Sequence, residues 1–337
     1  MTNKNITILL LIVLLLLMNF RFGGVFSIPQ LILVMQTDKS SYTYRDMVQI
    51  SGSLWLSNEP IDGLVALEVT NPDNRTLVTR TATIGTPALM GSIEIISVIP
   101  CDQNGNPKNN FIRGKESAHV NVTVKNNDVI SSIHVLITVC TYDADSTPIL
   151  PQVMALETSI PPGGIVQFKP DIPLDSWIST GPATFYVNVF SDWLKNGGYP
   201  YNSEKSAMFN IVSTKTTSTS SSFKSVTRES DDMYNVTFRL PPDATSGAPF
   251  GTYTINGSAY AQGYRAYTSE TFDKEFQVLG DINFDHRIDI LDVVSLTSIY
   301  GSKSGDSMWN PVVDVQPSGN IDILDVTVVT SKYGQKY

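Results

Sequence analysis

The chain has 337 residues, 16% of them charged and 9% aromatic, with three histidines, two cysteines and a formal net charge of −9. That acidic balance excludes nucleic acid and anionic lipid as electrostatic partners, and the length has room for roughly two to four domains. Its wealth of Ser, Thr, Val, Ile, Tyr and Pro fits secreted β-sandwich modules. The first predicted element is an export signal over residues 1–27, in which Lys4 precedes the 15-residue, almost wholly apolar run Ile6–Phe20. Such a run is shorter than the ~20 residues of a full span. A cleaved signal and a secreted or cell-surface protein are therefore expected; if uncleaved, this segment is the expected membrane anchor.

From 28 to 90 the pattern has period two. Val48, Ile50, Leu54 and Leu56 fall on one face, Val65, Leu67 and Val69 repeat the alternation, and turn formers at Asp38–Ser40, Asn58–Pro60 and Asn71–Asn74 divide the runs. A β-sandwich is predicted here and a second over 91–212, where Val120, Val122 and Val124, then Phe185, Val187 and Val189, alternate. Ile133–Tyr142 is more continuously apolar than these, as a central strand covered on both faces would be. Cys101 and Cys140 lie within this second unit and are expected to form one disulfide in an oxidising compartment. Asn74, Asn121, Asn235 and Asn256 head glycosylation sequons. The string TDKSSYTYRDMVQISGSLW (37–55) resembles the opening strands of macroglobulin-type, immunoglobulin-like domains, and HVNVTVKNND (119–128) a strand and turn of CARDB-type adhesion modules. Both are found in prokaryotic, notably archaeal, surface proteins, which implies a structural, spacer-like role.

Nine of the ten residues 213–222 are Ser or Thr, a composition that reads as a linker. A third, small sandwich is predicted over 223–279, with strands around Val226 and at Tyr234–Leu240, Thr252–Tyr260 and Thr271–Val278. So small a unit is marginal alone and should lean on a neighbour.

The segment 280–337 is a duplication. Ile288–Gly301 and Ile321–Gly334, offset by 33 residues, match at 10 of 14 positions, and a repeat this short needs its twin to bury its apolar face. In the first copy Asp281, Asn283, Asp285, Asp289 and Asp292 take positions 1, 3, 5, 9 and 12 of a 12-residue loop, with the Arg287 carbonyl at 7. Hard oxygen ligands alternating in this way wrap a chain round one calcium ion. The second copy has Asp314, Asp322 and Asp325 at positions 1, 9 and 12, Gln316 at 3, Ser318 at 5 and the Asn320 carbonyl at 7. With fewer carboxylates it is the weaker site. His286 stands where a glycine should make the sharp turn, whereas the second loop has Gly319. Ile288 is expected to pair with Ile321. Helices are predicted over Asp292–Tyr300 and Asp325–Tyr333, with Val293, Leu296 and Tyr300, and Val326, Val329 and Tyr333, as apolar stripes and Gly301 and Gly334 as stops.

These residues resemble a type I dockerin, an EF-hand-like calcium module built of two D-x-N-x-D-G-x-I-D-x-x-D loops, each followed by an apolar helix. The resemblance implies calcium as cofactor, docking onto a cohesin-like or other surface protein, and attachment to extracellular assemblies that often degrade polysaccharide. The family's hydroxyl-bearing recognition pair falls on Ile290–Leu291 and Ile323–Leu324, which suits a different partner surface or burial against the chain's own β domain.

Enzyme signatures are not found: there is no G-x-S-x-G, H-E-x-x-H, P-loop or dinucleotide fingerprint. Carboxylates such as Glu68, Glu94, Asp143, Glu157 and Asp192 sit in strand or turn contexts, and His119 and His134 read as solvent-facing or hydrogen-bonded. Trp55, Trp177, Trp193 and Trp309 could stack on sugar, but sandwiches usually bury tryptophan in their cores. The expected protein is mainly β: tandem immunoglobulin-like sandwiches with a small α-helical, dockerin-like calcium domain at the end. It is read as non-enzymatic and extracellular, and alternatively as an accessory subunit of a polysaccharide-degrading assembly.

Overall fold

The computed structural model describes residues 29–43, 46–86, 91–213, 233–241, 248–275, 278–283, 285–304, 306–310, 312–316 and 318–336. The predicted export signal, almost all of the Ser/Thr linker and the strand around Val226 lie outside these. No helix among the described residues is long and apolar enough to cross a membrane.

The protein is mainly β. Six strands come first: β1 (Leu31–Thr37), β2 (Ser41–Tyr42), β3 (Met47–Leu56), β4 (Glu59–Pro60), β5 (Gly63–Thr70) and β6 (Thr76–Ile84). The next nine are β7 (Ile93–Cys101), β8 (Asn110–Ile112), β9 (Ser117–Asn126), β10 (Ile133–Tyr142), β11 (Met154–Ile160), β12 (Ile165–Phe168), β13 (Asp171–Pro173), β14 (Gly181–Phe190) and β15 (Lys205–Val212). Then follow β16 (Tyr234–Arg239), β17 (Gly251–Ala261), β18 (Tyr264–Lys274) and two helices, α1 (Ile290–Ser298) and α2 (Ile323–Ser331).

Strand pairing corrects the predicted domain order. One sheet runs β1-β3-β16 with β4 beside β3, and the sheet facing it runs β2-β18-β17-β5-β6. Tyr234–Arg239 pairs antiparallel with Met47–Gly52, and Thr254–Tyr260 with Leu64–Thr70. Residues 223–279 are therefore not a third sandwich, and 28–90 is not a complete first one. Each supplies strands the other lacks, which is how a segment too short to bury its own apolar faces becomes stable. The unit 93–212, built from sheets β12-β9-β13 (with β7 on β9) and β11-β10-β14-β15-β8, is inserted between β6 and β16.

Alternation holds where one face meets solvent. In β3, Val48, Ile50 and Leu54 are buried and Gln49 is exposed, and in β9 Val120, Val122 and Val124 are buried. It fails at β5, where all eight residues are buried, because the second sandwich covers its outer face. Ala66 packs there with Leu136, Phe190 and Leu194, Thr79 and Thr138 hydroxyls meet at 2.9 Å, and the Val153 N–H donates to the Thr76 carbonyl at 2.9 Å. The two sandwiches are thus packed on each other through a buried seam rather than strung as independent spacers.

The expected disulfide does not form: Cys101 and Cys140 are both free and buried. Cys101 closes β7 in one sheet. Cys140 lies on β10, an inner strand of the facing sheet, and points into the seam, its Sγ 3.8 Å from the Leu77 carbonyl.

Candidate metal centre

The two C-terminal loops fold on their own carboxylates. In the first, Asp281 accepts the N–H groups of Asp285 (3.3 Å) and His286 (3.0 Å), turning the chain back on position 1. That turn needs a left-handed residue at position 6, and His286 adopts φ +65°, a region in which histidine is tolerated better than most side chains. Asn283 Oδ1 accepts from Asp285 N (3.1 Å), and Asp285 Oδ1 from Arg287 N (3.0 Å). Asp292 closes the loop: Oδ1 accepts from Ile282 (2.6 Å) and Asn283 (3.2 Å), and Oδ2 from Asp289 (2.8 Å).

The second loop repeats the plan. Asp314 accepts from Ser318 (3.1 Å) and Gly319 (2.9 Å), with Gly319 at φ +77°. Asp325 accepts from Gln316 and Asp322, each at 2.8 Å.

The same acidic residues start the helices. Asp289 and Asp322 accept from the N–H groups of Leu291 and Leu324, and Asp292 and Asp325 reach back to the cap N–H, forming a capping box at each helix. This is why α1 and α2 begin two residues before the predicted Asp292 and Asp325. They end at Ser298 and Ser331, so Tyr300 and Tyr333 no longer follow the helical period and are exposed, while in the first repeat Ile299 packs on the module's core in place of Tyr300. Gly301 and Gly334 lie just beyond, at φ +87° and +88°.

Asp281, Asp292, Asp314 and Asp325 are all buried. Among the described residues neither Asp292 nor Asp325 has a Lys or Arg partner, and burial pushes the Asp325 carboxyl above its ordinary range. Arg113 of the second sandwich is held down by burial and partly restored by the charge of Asp314.

The donors suit a hard divalent cation in kind and in backbone path. Asp281, Asn283, Asp285, the Arg287 carbonyl, Asp289 and Asp292 would hold one ion; Asp314, Gln316, Ser318, the Asn320 carbonyl, Asp322 and Asp325 would hold another. Carboxylates that accept N–H groups still have free lone pairs. The side chains do not, however, converge: no three His, Cys, Asp or Glu among the described residues close on a common point. Asp285 is exposed, its Oδ1 turned onto the Arg287 N–H, and the Ser318 hydroxyl is turned onto the Asn320 carbonyl (2.9 Å).

Ile288 and Ile321 are fully buried in one core with Leu296, Val313, Val315 and Val329. The two apolar anchors thus share one core, as expected, while their backbones pair elsewhere. Ile288 pairs with Gly334 and Gln335, and Ile321 with Gly301 and Ser302. The sequence offered those glycines only as helix stops. The apolar pairs at loop positions 10 and 11 are not covered by the chain's own β domains: Ile290 is 56% exposed, Leu291 53%, Ile323 61% and Leu324 51%.

Elsewhere, charged groups are engaged structurally. Buried Glu68 accepts from Thr76 Oγ1 (2.6 Å) and the Lys195 N–H (2.9 Å), and Asp143 accepts from Asp145, Thr147 and Ser179 N–H groups. In a cleft of about 380 Å³ whose lining includes Asp102, Lys108, Lys115, Glu116, His119 and Asp171, Lys108 pairs with Glu116 at 2.9 Å, His119 Nε2 lies 3.5 Å from Asp171, and Asp102 accepts from the Asn104 and Asn106 N–H groups. Trp177, Trp193 and Trp309 pack against cores, whereas Trp55 belongs to none of them.

No known protein family matches the chain, and no curated protein does. Among solved structures, the C-terminal domain of wzt overlaps 42% of this chain and 88% of its own length, at 14% identity and a TM-score of 0.31. Latent PorU from Porphyromonas gingivalis overlaps 74% of this chain and 34% of its own (10% identity, TM-score 0.22). Alpha-2-macroglobulin from Escherichia coli overlaps 74% and 24% (8% identity, TM-score 0.24). At these scores the likenesses carry no inference about what the chain does.

Proposed function

We propose that this is a secreted, non-enzymatic surface protein whose packed sandwiches carry a dockerin-like calcium module that docks a partner protein. One observation supports this most: two loops 33 residues apart share the same buried carboxylates and the same N–H wrap, and each leads into a helix that leaves an apolar pair in solvent. Buried Asp292 and Asp325 have no Lys or Arg partner among the described residues, an arrangement that is costly for a carboxylate, and a divalent ion at each loop would offset that cost. Ion binding and folding of residues 280–337 then become one event. Far-UV circular dichroism and limited proteolysis of the mature chain, with calcium and with EGTA, test this. Chelation should melt the two helices and open 280–337 to protease while the sandwiches persist; indifference of that segment to EGTA overturns the reading.

The Ile–Leu pairs favour an apolar protein surface, cohesin-like or other, over a polar one. A second reading, accessory subunit of an extracellular polysaccharide-degrading assembly, draws on Trp55, which lies on β3 outside every packed core with its indole N–H on Ser53. Pull-down on insoluble glucans and chitin, with Trp55→Ala as control, separates the two; retention lost in that variant supports the second.

A further inference from the structure

We infer that each cation loop is completed by the other repeat, so that Gln335, at the chain's end, is a positioning residue for the first loop, and Ser302 for the second. The inference rests on the calcium reading above. The Ile288 N–H donates to the Gln335 carbonyl (2.9 Å) and the Gly334 N–H to the Ile288 carbonyl (2.7 Å). Shifted by the repeat offset, the Ile321 N–H donates to the Ser302 carbonyl (2.9 Å) and the Gly301 N–H to the Ile321 carbonyl (2.8 Å). The same crossing recurs in the bridges Arg287 to Lys336 and Lys303 to Asn320.

What these bonds orient is the peptide that carries the position-7 ligand. The Arg287 carbonyl and the Ile288 N–H belong to one planar trans peptide and point in opposite directions. Anchoring the N–H outward on Gln335 therefore turns the carbonyl inward, to where a calcium loop uses a backbone oxygen at position 7. The second loop gives an independent sign of this orientation, since the Asn320 carbonyl accepts the hydroxyl of Ser318, the position-5 side chain. Left-handed Gly334 and Gly301 let the chain leave each helix and reach the opposite loop.

The test is calcium titration of the mature chain, whole or ending at Tyr333, in two backgrounds. With Asp314→Ala leaving only the first loop, the shortened chain should bind calcium about tenfold more weakly or worse, the effect of losing two backbone hydrogen bonds. With Asp281→Ala leaving only the second loop, adjacent in sequence to the deletion, the loss should stay below about threefold. Equal losses in the two backgrounds, or none, overturn the inference. Because shortening risks loosening the whole module, hydrogen exchange at saturating calcium supplies a second readout. Protection should fall at the Ile288 amide and persist at Ile321; loss at both makes the tail a general support and the inference wrong. If the unmodified chain takes up no calcium, the calcium reading fails first and this inference with it.

Discussion

Glu204 of the second sandwich grips Arg80 of the first with a two-pronged ion pair, Nε to Oε2 at 2.9 Å and Nη2 to Oε1 at 3.0 Å. The guanidinium carbon also lies over the Tyr186 ring, 3.6 Å from its centroid, and Asn188 donates to both the Thr79 carbonyl and Glu204. Glu204→Ala should therefore destabilise the chain by about 2 to 3 kcal/mol, since it strands a largely but not fully buried charge. Arg80→Met combined with Glu204→Leu should recover most of that loss. Urea unfolding of the three variants checks both statements.

Residues 29–90 expressed alone should be unfolded by circular dichroism and one-dimensional NMR. They lack β16, which pairs with Met47–Gly52 of β3, and β17, which pairs along β5. An excision that joins 86 to 233 directly should keep those pairings, but it exposes the apolar outer face of β5 and should aggregate.

Burial pushes the Cys140 thiol up to about 12 and raises that of Cys101. A thiol is reactive only as thiolate, so the native protein should show no fast-reacting thiol with Ellman's reagent at pH 8, and two after denaturation without reductant. Fewer than two in denaturant would mean that the cysteines pair after all.

Replacing Ile290 and Leu291 with serine should change the melting free energy by less than about 0.5 kcal/mol, as exposed positions usually do. Ile288→Ala, in the buried core of the module, should cost about 2 to 5 kcal/mol. Calcium-saturated thermal unfolding distinguishes the two, and a large effect of the serine pair would mean that those side chains are covered within the chain.

Within the module, what a one-dimensional pattern can carry was legible. The repeat spacing foretold two like loops, and the absence of glycine at His286 a left-handed histidine, but Asp281, Asp285 and Asp292 do not converge on a common point as the cation spacing led one to expect. Strand alternation marked the buried face of β3 and β9. Helix starts were missed by two residues because Asp289 and Asp322 act as caps as well as loop members, a double role that spacing alone does not reveal.

By itself the sequence determined the β character, the strand faces and the duplicated acidic loops, because each follows from side chains a few residues apart. The tertiary structure decided which segments share a sheet, where Cys140 points and which backbone groups Ile288 and Ile321 pair with. Those outcomes depend on pairings such as Tyr234 with Gly52 and Ile288 with Gln335. Backbone N–H and C=O groups are the same at every position, so nothing in residue identity names their distant partners; only the joint burial of all the apolar faces selects them.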